Sequence, residues 1–140
     1  MANDIRYEVI EEGDVRFAEV IRAGSAAERS TFLSPAESSL QFGILAHPAG
    51  AVEEPHTHRS IPRTIRDLQQ MFVVQKGKVE MTFFRSDGTP FRSVVLAQGD
   101  AILLVDGPHA MRILEDAQCI SVKQGPFLGA ENDKVPLGQR

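Results

Sequence analysis

The sequence predicts an all-β fold, a sandwich or barrel with little or no helix, and three observations carry that reading. Short apolar runs rich in Val, Ile and Phe recur about every ten positions, each closed by Gly, Asp, Ser or Pro. An Asp-Gly pair at 87 and 88 stands between two such runs, the signal of a tight hairpin. Helical signals are confined to one short stretch.

The runs follow in order. "IRYEVIEEGD" and "VRFAEVIRAG" open the chain as a pair of strands, and "STFLS" and "LQFGILAHPAG" continue the series. Between them "SPAES", residues 34–38, has a capping Ser34, Pro35 at the first helical position and Glu37 behind it, which predicts one helical turn at most. "QMFVVQKG" and "KVEMTFFRSDG" are read as two strands joined at 75–78, where Gly77 is free to take the left-handed conformation. Asp87-Gly88 then makes 78–84 and 91–96 antiparallel neighbours. "FRSVVLAQGD", "AILLVDG", "HAMRILED" and "CISVKQG" complete the set, and the tail from 125 to 140 is a packed or loosely held arm.

At 140 residues, with no repeat, low-complexity tract or composition shift, the chain is expected to form a single domain over 1–140. Strands 1–40, a core 41–124 and the arm 125–140 are its parts. A domain of this size buries about two thirds of the surface exposed by its unfolded chain, so it needs no staple. No apolar run nears the roughly 20 residues that span a bilayer, and "MANDIRYEV" does not resemble a secretory leader, so no membrane partner and a cytoplasmic location are expected. The net charge of −4 argues against a duplex nucleic-acid partner. Cys119, the single cysteine, cannot form an internal disulfide and reads as a packed thiol.

The chemistry concentrates in "EEPHTHRSIPRTIRDLQQMFVVQKG". In extended chain alternate side chains share a face, so His56 and His58 can present both imidazoles to one point while Thr57 faces away. The same period groups Gln70, Phe72 and Val74, and further on His109, Met111 and Ile113. Each of these two faces starts polar and continues apolar, as the wall of a barrel with a polar site near its mouth would. Arg59, Arg63 and Arg66 crowd the segment after the histidines. Either that segment is a solvated loop, or a guanidinium there clamps a carboxylate or phosphate in bidentate fashion.

Residues 50–77 and 99–109 resemble the two motifs of the cupin superfamily, small jelly-roll barrels that often hold one divalent metal. Gly50 is followed by five residues and then His56-Thr57-His58, and Gln70 is followed by six residues and then Gly77. Gly99 opens the second motif, Gly107 matches it, and His109 closes it one residue early after Pro108, with Val105 where the family has proline. Gln70 stands where the family has glutamate, and the gap from His58 to Gln70 is an insertion. The resemblance implies a single-domain jelly-roll barrel whose metal ligands are His56, His58, Gln70 and His109. A shift of His109 by one strand position would turn its ring outward; the inward direction is favoured because Met111 and Ile113 then face the core. Asp67 is an alternative anionic ligand, Gln69 competes with Gln70 for the inward direction, and His47 reads as a rim histidine.

Such a ligand set leaves one or two positions open on the ion, the arrangement of a catalytic metal. Imidazole suits Zn, Fe, Ni or Cu, and the amide oxygen leaves Mn open, so one divalent transition metal of undetermined identity is the implied cofactor. The expected function is a metal-binding cupin, a small metalloenzyme acting on an anionic metabolite such as a keto acid or sugar derivative, oriented by Arg63 or Arg66. The alternative is a non-catalytic barrel that binds or senses a small molecule. No acid or base beyond the ligands is evident: Tyr7 belongs to the first strand, and Glu80 lies between the inward residues Val79 and Met81. Whether the protein is an enzyme is left open by the residues alone. Since barrels of this family pair through sheet edges, a homodimer is also implied.

Overall fold

The computed structural model describes residues 3–138. It is a β protein with almost no helix, built on one curled sheet that forms half a barrel. The strands are β1 (Tyr7–Glu12), β2 (Val15–Ile21), β3 (Thr31–Phe32), β4 (Gly43–Ile44), β5 (Gln70–Phe84), β6 (Pro90–Ala97), β7 (Ala101–Leu104) and β8 (His109–Lys123), followed by the four-residue helix α1 (Ala130–Asp133). The sheet order is β1-β2-β7-β5-β6, and β8 pairs with β5. The first half of β5 pairs with β7, its second half with β6, and β8 runs antiparallel along the whole of it. β7 and β6 therefore share one edge of β5, and β8 takes the other.

The hairpin at Asp87-Gly88 forms as expected: Lys78–Phe84 pairs antiparallel with Pro90–Ala97. Gly88 takes φ +91°, and Asp87 Oδ1 accepts hydrogen bonds from Thr89 N (2.8 Å) and Thr89 Oγ1 (2.6 Å), a local clasp that holds the Asp87 carboxyl below its ordinary range. The turn expected at 75–78 does not form. Gly77 does take a positive φ of +82°, but the strand runs on through it, and the conformation is absorbed as a bulge in the β5–β8 ladder. Opposite this bulge the carbonyl of Asp116 fills the place where a Cβ would sit, so only glycine fits. The two segments read as separate strands at 109–116 and 119–125 likewise join into one, β8. Residues 34–38 make a single turn, with Ser38 N donating to Pro35 O at 3.0 Å.

The main core lies on the concave side of the curl, where Phe17, Val20, Phe72, Val79, Met81 and Phe83 are buried. Phe83 meets Phe17 edge-on at 6.1 Å between ring centroids. A smaller cluster of Ile21, Phe42 and Leu103 sits on the opposite face, covered by the segment from Leu33 to Ile44. The β6–β7 corner is pinned by the buried Asp100, whose carboxylate accepts from Ala23 N (2.8 Å), Ala97 N (2.9 Å) and Arg22 Nη1 (3.2 Å). Among the described residues no helix is long and apolar enough to cross a membrane.

Candidate functional site

The open side of the curl holds a cavity of about 1170 Å³. Its floor is apolar, with Phe72 and Met81 from β5 and Leu104 from the neighbouring β7, and its rim carries Gln70, Asp106 and His109. The pairing explains why Gln70 and His109 both face it. Residues opposite each other on antiparallel strands share a face, and His109 stands opposite Phe83 while Met111 stands opposite Met81. Buried Phe83 and Met81 thus turn the His109 ring toward the concavity. Gln70 is two residues before buried Phe72 and shares its face. The third wall is the C-terminal arm, through Val135, Pro136 and Leu137, tied back by Lys123 Nζ donating to Asp133 Oδ2 at 2.8 Å. A second hollow of about 230 Å³ adjoins the first, sharing Leu104, Asp106 and His109 and adding Asp67 and Leu68.

The polar rim groups are held by local bonds. His109 Nδ1 lies 3.2 Å from the carbonyl oxygen of Gly107, which can only accept, so Nδ1 donates there and, in the neutral ring, Nε2 is left as an acceptor. Gln70 Nε2 donates to Ser121 Oγ at 2.8 Å across the β5–β8 ladder. Asp106 Oδ1 accepts from Gly107 N at 2.7 Å, which closes the turn leading into β8.

His56 and His58 lie elsewhere, on the exposed segment between β4 and β5, which has no strand pairing. Their rings are adjacent, 5.3 Å between centroids and nearly perpendicular. Both nitrogens of His56 face its own loop, Nδ1 2.9 Å from Glu54 O and Nε2 3.4 Å from Glu53 Oε1. Arg63 donates to Ile61 O at 3.3 Å, and neither Arg63 nor Arg66 is among the residues lining the cavity or forms an ion pair among the described residues. Among the described residues no group of three or more His, Cys, Asp or Glu side chains comes together in a way able to hold a metal ion. Of the four expected ligands, His56 lies beside His58, while Gln70 and His109 line one cavity from opposite ends of the β5–β8 ladder.

The other candidates have structural partners. Asp67 accepts from Ser39 Oγ (2.6 Å) and Gln69 Nε2 (2.9 Å), which occupies both of its carboxylate oxygens. Gln69 is buried and ties Leu40 and Gln124 to the start of β5. His47 Nε2 contacts Ser30 Oγ at 3.3 Å. Glu80 points to the convex face, paired with Arg112 at 2.9 Å. Cys119 packs against the main core, and burial raises its pKa, so it stays a thiol.

One polar constellation has no counterpart in the sequence reading. Glu19, fully buried on β2, accepts through Oε1 from Tyr7 Oη (2.7 Å) and Ser34 Oγ (2.9 Å), and Arg16 Nη2 donates to Tyr7 Oη at 2.6 Å. Arg16 Nε faces Glu19 Oε2 at 3.5 Å, close enough for Coulomb attraction but not for a hydrogen bond. Burial, then the bond to Glu19 and its negative charge, push the Tyr7 hydroxyl up to about 12. The alternation of "VRFAEVI" was the available signal, since Glu19 lies between Ala18 and Val20 in a run otherwise suited to a buried strand.

Comparison with known proteins finds no matching family model, no matching curated protein and no matching solved structure. What fold and site define together is a class: a curled β half-barrel with a solvent-open cup on its concave face.

Proposed function

We propose that the protein binds a small molecule in the concave cup, with the curled sheet as a rigid platform and the polar rim as the reader. The observation that carries this is the cavity of about 1170 Å³, which joins an apolar floor to three convergent polar groups, Gln70, Asp106 and His109. Concave apolar sites with a few placed polar groups are the usual form of small-molecule sites. Non-catalytic binding or sensing is the form of the reading we favour, because among the described residues no rim group is hydrogen-bonded to a second acid or base.

The test is ligand-dependent stabilisation. A compound that binds only the folded state raises the melting temperature with concentration. Met111→Trp, at a half-exposed position lining the cup, should change that rise by altering the contacts the ligand makes, while leaving the unliganded melt unchanged. Stabilisation indifferent to this substitution would move the binding site elsewhere.

A second reading, metal-dependent chemistry on an anionic metabolite, is favoured by one observation, the adjacent rings of His56 and His58. It expects close to one equivalent of transition metal in purified protein, lost in both His56→Ala and His109→Ala. Substoichiometric metal that persists in both variants rejects it.

A further inference from the structure

We infer that the cup selects a neutral, hydroxyl-bearing molecule with an apolar face, of the aryl glycoside kind, and discriminates against anions. This rests on the binding reading of the same cavity and adds the chemical class of the ligand.

The inference comes from counting what the rim offers once its internal bonds are made. Gln70 gives one of its two amide N–H groups to Ser121 and leaves the other beside its carbonyl oxygen. His109 spends Nδ1–H on Gly107 O and leaves Nε2 as an acceptor. Asp106 receives Gly107 N on Oδ1 and leaves Oδ2. Three acceptors and a single donor, the second Gln70 N–H, therefore remain on the side of the cup formed by β5, β8 and the turn between β7 and β8. Pro108 and Pro136, also in the lining, have no backbone N–H to add.

The charge balance points the same way. Lys134 is the single cation among the lining residues, against the carboxylates of Asp106 and Asp133, and Asp133 is already matched by Lys123. An incoming carboxylate or phosphate would meet one ammonium and an unpaired carboxylate, with no guanidinium among the lining residues. The cluster of Arg59, Arg63 and Arg66 lies on the exposed segment and contributes nothing to the lining. A ligand that donates hydrogen bonds loses nothing at such a rim, whereas one that only accepts leaves the three acceptors unpaired as water is expelled. Hydroxyl groups fit because each donates to a rim acceptor and can also accept from Lys134. The floor sets the other half of the specificity: Phe72, Met81, Leu104 and Met111 ask for an apolar face or substituent on the same molecule.

The experiment is calorimetric titration of the full chain with two matched sets of probes. One set is phenyl glucoside, phenyl galactoside and phenyl mannoside; the other is phenylpyruvate and phenyl phosphate, which keep the aromatic ring and replace the hydroxyl-bearing head with an anion. The expected result is binding of at least one glycoside, with both anions at least tenfold weaker. Gln70→Leu and His109→Phe should each weaken that glycoside about fivefold, the loss of one hydrogen bond. Both positions are solvent-accessible, so the melting temperature of each variant serves as the check on folding, and His47→Ala is the control that leaves binding unchanged. Anions that bind as tightly as the glycosides overturn the inference while leaving the cup as a binding site. Glycoside binding indifferent to both substitutions overturns the placement at this rim. If no probe of either set binds, the inference and the binding reading fall together.

Discussion

Strands β2 and β8 belong to the same sheet, β2 inside it and β8 at an edge, and their surroundings could hardly differ more. β2 is buried from Phe17 through Ile21, with the main core on one face and the Leu33–Ile44 segment on the other. β8 carries as many large apolar residues, yet Met111, Ile113, Leu114, Ile120 and Val122 are all between 41 and 54% exposed. It is paired only to β5, and among the described residues no strand lies on its outer edge. Burial here follows from coverage by a second layer, and hydropathy alone does not distinguish the two strands. A long edge with apolar residues on both faces is also the kind of surface that other chains pair with.

The contrast predicts a graded series of effects, from the covered half to the open one. Phe83→Ala, in the packed concave core, should cost about 3–5 kcal/mol in urea unfolding, because the cavity left against Phe17 cannot collapse. A loss near 1 kcal/mol would show that the covered half is looser than its burial indicates. Asp100→Ala should cost about 2–3 kcal/mol, since it strands two backbone N–H groups at the β6–β7 corner; the partly exposed Arg22 contributes less. Here the control is Asp100→Asn, expected to recover part of the loss.

Alkaline titration probes the covered half in another way. Tyr7 has an ordinary value of 10.0 and is raised to about 12 in the fold, so the folded state holds its proton more tightly than the unfolded chain does. Its contribution is fully present below pH 10 and is lost as the pH climbs toward 12. Tyr7→Phe should flatten that part of the stability profile, and its cost near neutrality should be about 1 kcal/mol. Equal alkaline sensitivity in both proteins would remove Tyr7 as the cause.

The smallest effect is expected on the open half. Ile113→Ser on β8 should change stability by no more than about 0.5 kcal/mol, as for other exposed sites. A loss above 1 kcal/mol that grows with protein concentration would mean that a second copy of the chain covers this strand in solution, and sedimentation would confirm the change in mass.

Local chemistry was the most legible part of this sequence. Asp87-Gly88 announces its hairpin within four residues, and two-residue alternation puts Gln70 and His109 on the concave face, because pleating is fixed by the backbone. Gly77 was misread because the same positive φ serves a turn or a bulge, and which one forms depends on a partner strand some 40 positions later. The clasp of Tyr7, Arg16, Glu19 and Ser34 stayed hidden for a similar reason: three of its members come from a hairpin and the fourth from a distant segment. The placement of His56 and His58 was not readable from spacing, since alternation fixes facing only once a strand is paired, and their segment is not.

The bulge at Gly77 has one more effect, on which side of the sheet each end of β5 presents. Before it the even-numbered Gln70, Phe72 and Val74 look into the hollow, and after it the odd-numbered Val79, Met81 and Phe83 do. The pleat changes phase between Val74 and Val79, around this glycine, and this lets one long strand furnish both the reader at the lip and the greasy base beneath it. Deleting one residue from that stretch would shift the phase again and turn one end of the strand inside out.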